Sequence, residues 1–296
     1  DAIQIGSSND PLLTRRPQSG GEVSPSDPSI VASGTCGSNL TWNLDSDGTL
    51  TISGTGAMAN YSSYNDMPWY RKNISNVVIE EGVTSVGSYA FYSIDGFSGV
   101  SFPSTLKSIG EYAFCRTSLE SAVLPEGLTI LGDRAFKDCS NLTYISFPTS
   151  LKSISQSSFS GCKMLTEVTI PEGVISIEGF AFEECTNLLS VTLPVSLKTI
   201  KLYAFSNCSV LSEVIYNGRR SEWIEVNVSD WNNDPLLNAE FVYLGVAPSH
   251  TVTLNANGGV VEPSLLTVKE EEPYGEMPTP TREGYAFNGW YTAASG

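Results

Sequence analysis

The stretch "SISQSSFSGC", Ser153–Cys162, gathers the residue types of a nucleophile site: serines, a glycine turn and a cysteine. Acyl transfer through such a hydroxyl or thiol needs a neighbouring base, most often histidine. The chain has one histidine, His250, in the segment "GVAPSHTV", which reads as a solvated linker residue. No Gly-x-Ser-x-Gly elbow occurs. The acidic pairs Glu80–Glu81, Glu183–Glu184 and Glu270–Glu272 could be imagined as acid and base of a glycosidase, but adjacent carboxylates on loops read as solvated faces. Asp45 and Asp47 lack the further oxygen ligands of a calcium loop and read as turn residues. The six cysteines include no Cys-x-x-Cys pair and have no histidine beside them, which disfavours a zinc site. The expectation is a protein with no catalytic residue, no metal and no cofactor.

With 32 acidic against 16 basic residues the net charge is −16, spread along the chain. That argues against nucleic acid as a partner, since phosphates call for clustered Lys and Arg. No apolar run is long enough to insert in a membrane. Residues 1–33, rich in Ser, Pro, Gly and Asp, read as a flexible leader, and a signal peptide is taken as already removed. From Cys36, "LTWNL" and "TLTIS" flank the turn "DSDG", a hairpin pattern.

The elements that must position any site emerge from periodicity. Phe91, Phe114, Phe136, Phe159, Phe182 and Phe205 recur every 22 or 23 residues. Pro103, Pro125, Pro148, Pro171 and Pro194 keep the same interval, as do Cys139, Cys162, Cys185 and Cys208. A fixed period of this size means a solenoid. Within one unit, Val168 and Ile170 alternate with Glu167 and Thr169, which predicts a short strand with one buried face. Pro171 ends it, Val174 and Ile177 add inward anchors, and the "AF" pair closes the coil in a helical or 3₁₀ turn.

Stacked coils place like residues in columns. Four cysteines in one column all point inward, poor geometry for bridging, so buried free thiols are expected; Cys36 and Cys115 stay open. The opening patch then reads as one turn of the solenoid. Ser155 stands where other coils carry Gly110 or Gly132, and Ser158 takes the alanine place of "AF". Its cysteine is expected buried, its serines mostly exposed or capping the turn.

These repeats resemble the BspA-type leucine-rich repeats, a family whose pattern is strand, Pro, "IGxxAF" and a Cys before the next Leu. "SIGEYAFCRTSL", Ser108–Leu119, matches closely, although Cys115 lies one residue after Phe114 and not three. The resemblance implies a leucine-rich repeat solenoid over 76–216, with a β-strand plus a short helical or 3₁₀ turn per coil. It also implies an N-terminal β cap over 34–75 and a C-terminal cap over 217–245, where Trp223 and Trp231 bring bulk suited to covering the open end. In 246–296, "NANGG", "MPTPTREGY" and "GWYT" resemble the Listeria–Bacteroides repeat, implying a small β-rich, β-grasp-like module. Met277 stands at that module's usual Leu position, and the expected final strand is missing, so the module is expected to be partial.

Two surfaces offer themselves for binding. On the strands, Tyr144 stands beside a column of small or β-branched residues that includes Thr169 and Thr192. Two residues before each phenylalanine stand Tyr89, Tyr112, Arg134, Ser157, Phe180 and Tyr203. This second column reads either as a carbohydrate or protein contact stripe or as a cover over the turns. The family resemblance implies a non-catalytic bacterial cell-surface or secreted protein that adheres to a host or neighbouring-cell protein or glycan, as a monomeric solenoid. The alternatives are a structural spacer, or the targeting module of a surface enzyme whose catalytic domain lies outside this chain.

Overall fold

The computed structural model describes residues 28–246, 249–256, 258–269 and 276–290. Most of the leader expected over 1–33 and the pair Glu270–Glu272 lie outside the described residues. The cap begins before position 34, with a strand at Ile30–Thr35. It runs antiparallel to Leu40–Asp45, which pairs antiparallel with Thr49–Gly54. Leu40, Trp42, Leu44, Leu50 and Ile52 point inward in the period-two pattern of a half-buried hairpin. In its turn the Asp45 carboxylate accepts from the N–H groups of Asp47 (3.0 Å) and Thr49 (2.8 Å), the turn role expected of it.

Thr49–Gly54 then pairs parallel with Asn76–Ile79, and the chain passes from hairpin to solenoid. Each coil contributes two strands to two parallel ladders. The first runs in three paired stretches, Asn76–Ile79 with Val100–Ser101, Ser121–Val123 with Tyr144–Ser146, and Glu167–Thr169, Ser190–Leu193 and Glu213–Tyr216, which Glu240–Tyr243 of the C-terminal cap continues. The second runs in two paired stretches, Val83–Val86, Ser108–Ile109 and Ile130–Leu131, then Ser153–Ile154, Ser176–Ile177 and Thr199–Ile200, continued by Asn227–Val228. Like faces like: Val168 opposes Val191, and Ile154 opposes Ile177. With the caps the stack makes about eight turns.

Proline follows the first strand in five coils, at 103, 125, 148, 171 and 194, and its carbonyl accepts from the residue three on, as from Leu151 N–H to Pro148 (3.3 Å). These turns alternate along the stack. Glu81, Glu126 and Glu172 extend a carboxylate to the backbone N–H groups of Ser104, Thr149 and Val195 in the following coil (2.8, 3.2 and 3.0 Å). Their coils alternate with ones bearing Ser, Thr or Val at that place, so the array has a two-coil superperiod.

The turn around "AF" keeps 3₁₀-type bonds on every second residue, such as Ala90 N–H to Gly87 O and Tyr92 N–H to Tyr89 O. The residues between them donate to the next coil: Tyr89 to Glu111 (2.9 Å), Phe91 to Ala113 (2.7 Å) and Ser93 to Cys115 (2.8 Å). Aiming those N–H groups along the stack needs a left-handed residue on each side of the phenylalanine. Tyr89, Tyr112, Arg134, Ser157, Phe180 and Tyr203 have φ between 52° and 62°, and Ser93, Arg116, Asp138, Glu184 and Asn207 have φ between 55° and 59°. Such a conformation costs roughly 1–2 kcal/mol for an L-residue, and the inter-coil bonds offset it.

Both ends of this third ladder are closed by side chains. At the start, Trp69 stacks on Phe91 (5.5 Å, 20°) and its Nε1–H donates to Ala90 O (2.8 Å), in place of a preceding coil's phenylalanine. At the end, the fully buried Asn233 accepts the Phe205 N–H on Oδ1 (3.1 Å) and donates from Nδ2 to Lys201 O and Ser229 O. Of the two tryptophans expected to cover that end, Trp223 packs against Tyr216 and Phe241. Trp231 is 70% exposed and contributes only its carbonyl, which accepts the Tyr203 N–H. Covering a ladder end requires partners for its amides, which an indole's bulk does not provide.

In the C-terminal module Ser249–Thr253 pairs antiparallel with Leu265–Lys269. His250 lies exposed on the first of these strands, opposite Val268, and not in a linker.

Candidate recognition surface

The patch that resembles a nucleophile site belongs to the core. Phe159 and Cys162 are fully buried, and so, against expectation, are most of the serines: Ser157, Ser158 and Ser160 are at most 6% exposed. Two of the buried serines have partners for their side chains at hand. Ser158 Oγ donates to Ser155 O (2.8 Å), and Ser160 Oγ lies between Lys137 Nζ (3.0 Å) and Glu183 Oε2 (3.2 Å). Ser155 Oγ reaches Leu131 O in the preceding coil. The glycines at its place in earlier coils are enforced by contact, because a Cβ at Gly132 would stand 2.4 Å from Gly110 C.

The cysteine column is a column of donors. Cys139, Cys162, Cys185 and Cys208 each direct Sγ at the carbonyl of the preceding coil's phenylalanine, Phe114, Phe136, Phe159 and Phe182, at 3.0–3.3 Å. Thr117, three residues after Phe114, fills the same place in the coil where the cysteine is displaced to 115. Its Oγ1 donates to Phe114 O (2.9 Å). All six cysteines are buried and free. Burial pushes the thiols of Cys36 and Cys139 up to about 11 and that of Cys115 up to about 12, and raises Cys162 and Cys185 well above the ordinary value. Neutral, hydrogen-bonded thiols of this kind are poor nucleophiles and poor metal ligands.

Outside the core, the turn column offers a surface. Tyr89 and Tyr112 stack at 4.8 Å, and Tyr92 packs against both (5.5 and 6.1 Å). From the cap, Tyr64 stacks on Tyr92 (6.2 Å) and meets Tyr70 edge-on (5.5 Å). Five tyrosines thus form one cluster. Arg71 lies over the Tyr70 ring (5.1 Å) and Arg134 over Tyr112 (5.3 Å), the latter also paired with Glu111 (3.3 Å). Tyr64 is 44% exposed and the other four are half-buried. The rings therefore cover the turns and also present their outer faces, so the two sequence readings of this column both describe it. Burial, then the neighbouring Tyr112, raises the Tyr89 phenol, which keeps it a neutral donor.

The structure divides the predicted stripe. Tyr89, Tyr112 and Arg134 lie together, whereas Phe180 and Tyr203 form a separate stacked pair (4.8 Å) beyond the buried Ser157. Tyr144 is 52% exposed on the first ladder, with Thr169 exposed and Thr192 half-buried in later strands; no aromatic partner joins them there among the described residues. Sequence reasoning missed Tyr64, Tyr70, Tyr92 and Arg71. The place of Tyr92, next to Phe91, is held by Cys115, Lys137, Ser160, Glu183 and Ser206 in later coils and so carries no signal in the period; the cap residues lie outside it.

The profile described as BspA type leucine-rich repeat region matches residues 63–172 and 156–227, in six copies and over more than half of the chain. The chain belongs to the BspA-type leucine-rich repeat family. In this BspA-type chain, residues 250–296 also match the Listeria-Bacteroides repeat domain. No curated protein matches. Among solved structures it is similar to the leucine-rich repeat protein of T. pallidum, at 26% identity and TM-score 0.48, covering 72% of this chain and 99% of that one. A leucine-rich repeat protein of Bacteroides ovatus ATCC 8483 is 20% identical with TM-score 0.45, covering 70% of each chain. A leucine rich cell surface protein of Faecalibacterium prausnitzii A2-165 is 16% identical with TM-score 0.33, covering 69% of this chain and 99% of that one. The matched families are repeat families, and none of them is catalytic.

Proposed function

We propose that this BspA-type chain is a non-catalytic binding protein of the bacterial cell surface, adhering to a host or neighbouring-cell protein or glycan through the tyrosine–arginine cluster. The observation that carries the reading is five tyrosines and two arginines drawn together from the cap and three coils. Tyrosine and arginine dominate binding hot spots, and rings held by stacking lose little entropy when a partner arrives. The family membership and the Listeria–Bacteroides module support the surface location.

The test is a panel of matrix proteins and glycans probed with the full chain and with Tyr64→Ala/Arg71→Ala, two exposed residues whose removal leaves the core intact. Binding is expected to weaken roughly thirtyfold in the variant, the loss of one hot spot, with an unchanged melting temperature. A chain that binds nothing on the panel, or a variant that binds as the parent does, would overturn the proposal.

A further inference from the structure

The two-coil superperiod has a consequence on the face of the second ladder, away from the tyrosine cluster. One residue before each two-residue strand of the second ladder stand Lys107, Thr129, Lys152, Ile175 and Lys198, and Thr84 holds the equivalent place inside Val83–Val86. Their backbones are in register in two groups: Thr129 N–H donates to Lys107 O in the first, and Ile175 to Lys152 O and Lys198 to Ile175 O in the second, each at 2.9 Å. The lysines therefore recur every second coil, about 10 Å apart at ~4.8 Å per strand. All three are exposed, and none forms an ion pair among the described residues. The chain leans Lys107 and Lys152 over the glycines of the following coil, where a Cβ at Gly127 or Gly173 would meet their Nζ at 2.7 and 3.4 Å.

The neighbouring outward column is Ser85, Ser108, Ile130, Ser153, Ser176 and Thr199, uncharged and rich in hydroxyls. The nearby carboxylates are mostly committed. Glu126 and Glu172 hold the following coils' turns, and Glu178 pairs with Lys201 while accepting from the Ser176 hydroxyl of this column (2.9 Å). Glu222 lies close enough to Lys198 to feel its charge, but its own bonds are to Arg219. In a chain of net charge −16, this face carries a row of evenly spaced cations.

We propose that this face binds an extended acidic polysaccharide with one carboxylate on every second sugar, lying along the solenoid axis. The lysines meet successive carboxylates and the serine column meets sugar hydroxyls. Spacing and hydroxyls together favour such a chain over a nucleic acid, whose phosphates are denser and repelled by the remaining acidity.

The probe is hyaluronan, with uncharged dextran and duplex DNA as comparisons, titrated against the full chain and against Lys107→Thr/Lys152→Thr/Lys198→Thr. Threonine is the residue the alternate coils use at positions 84 and 129, so the sheet is retained. Hyaluronan is expected to bind at low salt, to weaken as salt rises, and to lose roughly tenfold or more in the triple variant, each exposed charge pair contributing a few-fold. Dextran is expected not to bind, and Lys163→Ala, an exposed cation outside this column, to bind hyaluronan unchanged. Absence of hyaluronan binding at low salt, an unaffected triple variant, or DNA bound as tightly through the same lysines would overturn the proposal.

Discussion

Replacing Phe159 with alanine is expected to lower the stability of the solenoid by about 3–5 kcal/mol, the range for a large aromatic removed from a packed core. Phe159 is fully buried, stacked between Phe136 (5.4 Å, 6°) and Phe182 (5.6 Å, 13°), with the edge of Phe147 at 5.3 Å. Each neighbour is held in turn by the next ring, and its backbone by the third ladder, so the cavity has little freedom to collapse. Because coils touch only their neighbours, weakening a central coil also uncouples the two halves. Urea denaturation is expected to show the lower midpoint together with a broadened or divided transition. A loss below about 1 kcal/mol would show that the phenylalanine column is not the continuous core described above.

Asn233→Ala is expected to destabilise by roughly 2–5 kcal/mol, because each buried group left without a partner costs about 1–3 kcal/mol. The substitution removes the acceptor of the Phe205 N–H and the donor to Lys201 O and Ser229 O in one step. The damage should be local. Amide exchange at Phe205 should accelerate far more than at Phe136, while Asn233→Asp, which keeps an acceptor, should protect the Phe205 amide better than alanine does. Equal exchange at both amides in the alanine variant would mean that the cap does not close the ladder.

How far the sequence discloses this molecule depends on whether a role repeats. Phenylalanine, proline and cysteine recur because each coil asks the same of them, so period alone places Phe159, Pro148 and Cys162. The left-handed residues have no such signature, since Tyr, Arg, Ser and Phe all occupy the place two before the phenylalanine. What forces their conformation is the hydrogen bond to the next coil, a tertiary fact. Thr117 escaped notice because Cys115 drew the eye to the wrong residue of its coil, although a hydroxyl and a thiol serve the Phe114 carbonyl alike. Polarity alone places Ser158 and Ser160 outside, yet hydroxyls with partners at hand can be buried. Asn233 and Trp69 occur once each, at the ends, and nothing local distinguishes them. The candidate site was half legible for the same reason: Tyr89, Tyr112 and Arg134 lie in a column, whereas Tyr64, Tyr70 and Arg71 reach the cluster only through the fold of the cap.

The central claim is that the residues resembling reactive chemistry are the solenoid's internal columns. Alkylation by iodoacetamide without reductant, read by mass spectrometry at each cysteine, tests it most directly. At pH 8 the folded chain is expected to leave Cys36, Cys115, Cys139, Cys162, Cys185 and Cys208 unlabelled over the time in which a free thiol reacts to completion, since all six are buried. After denaturation all six should label. Rapid labelling of Cys162 in the folded chain, or a pair of column cysteines that stays unlabelled once denatured, would contradict the account.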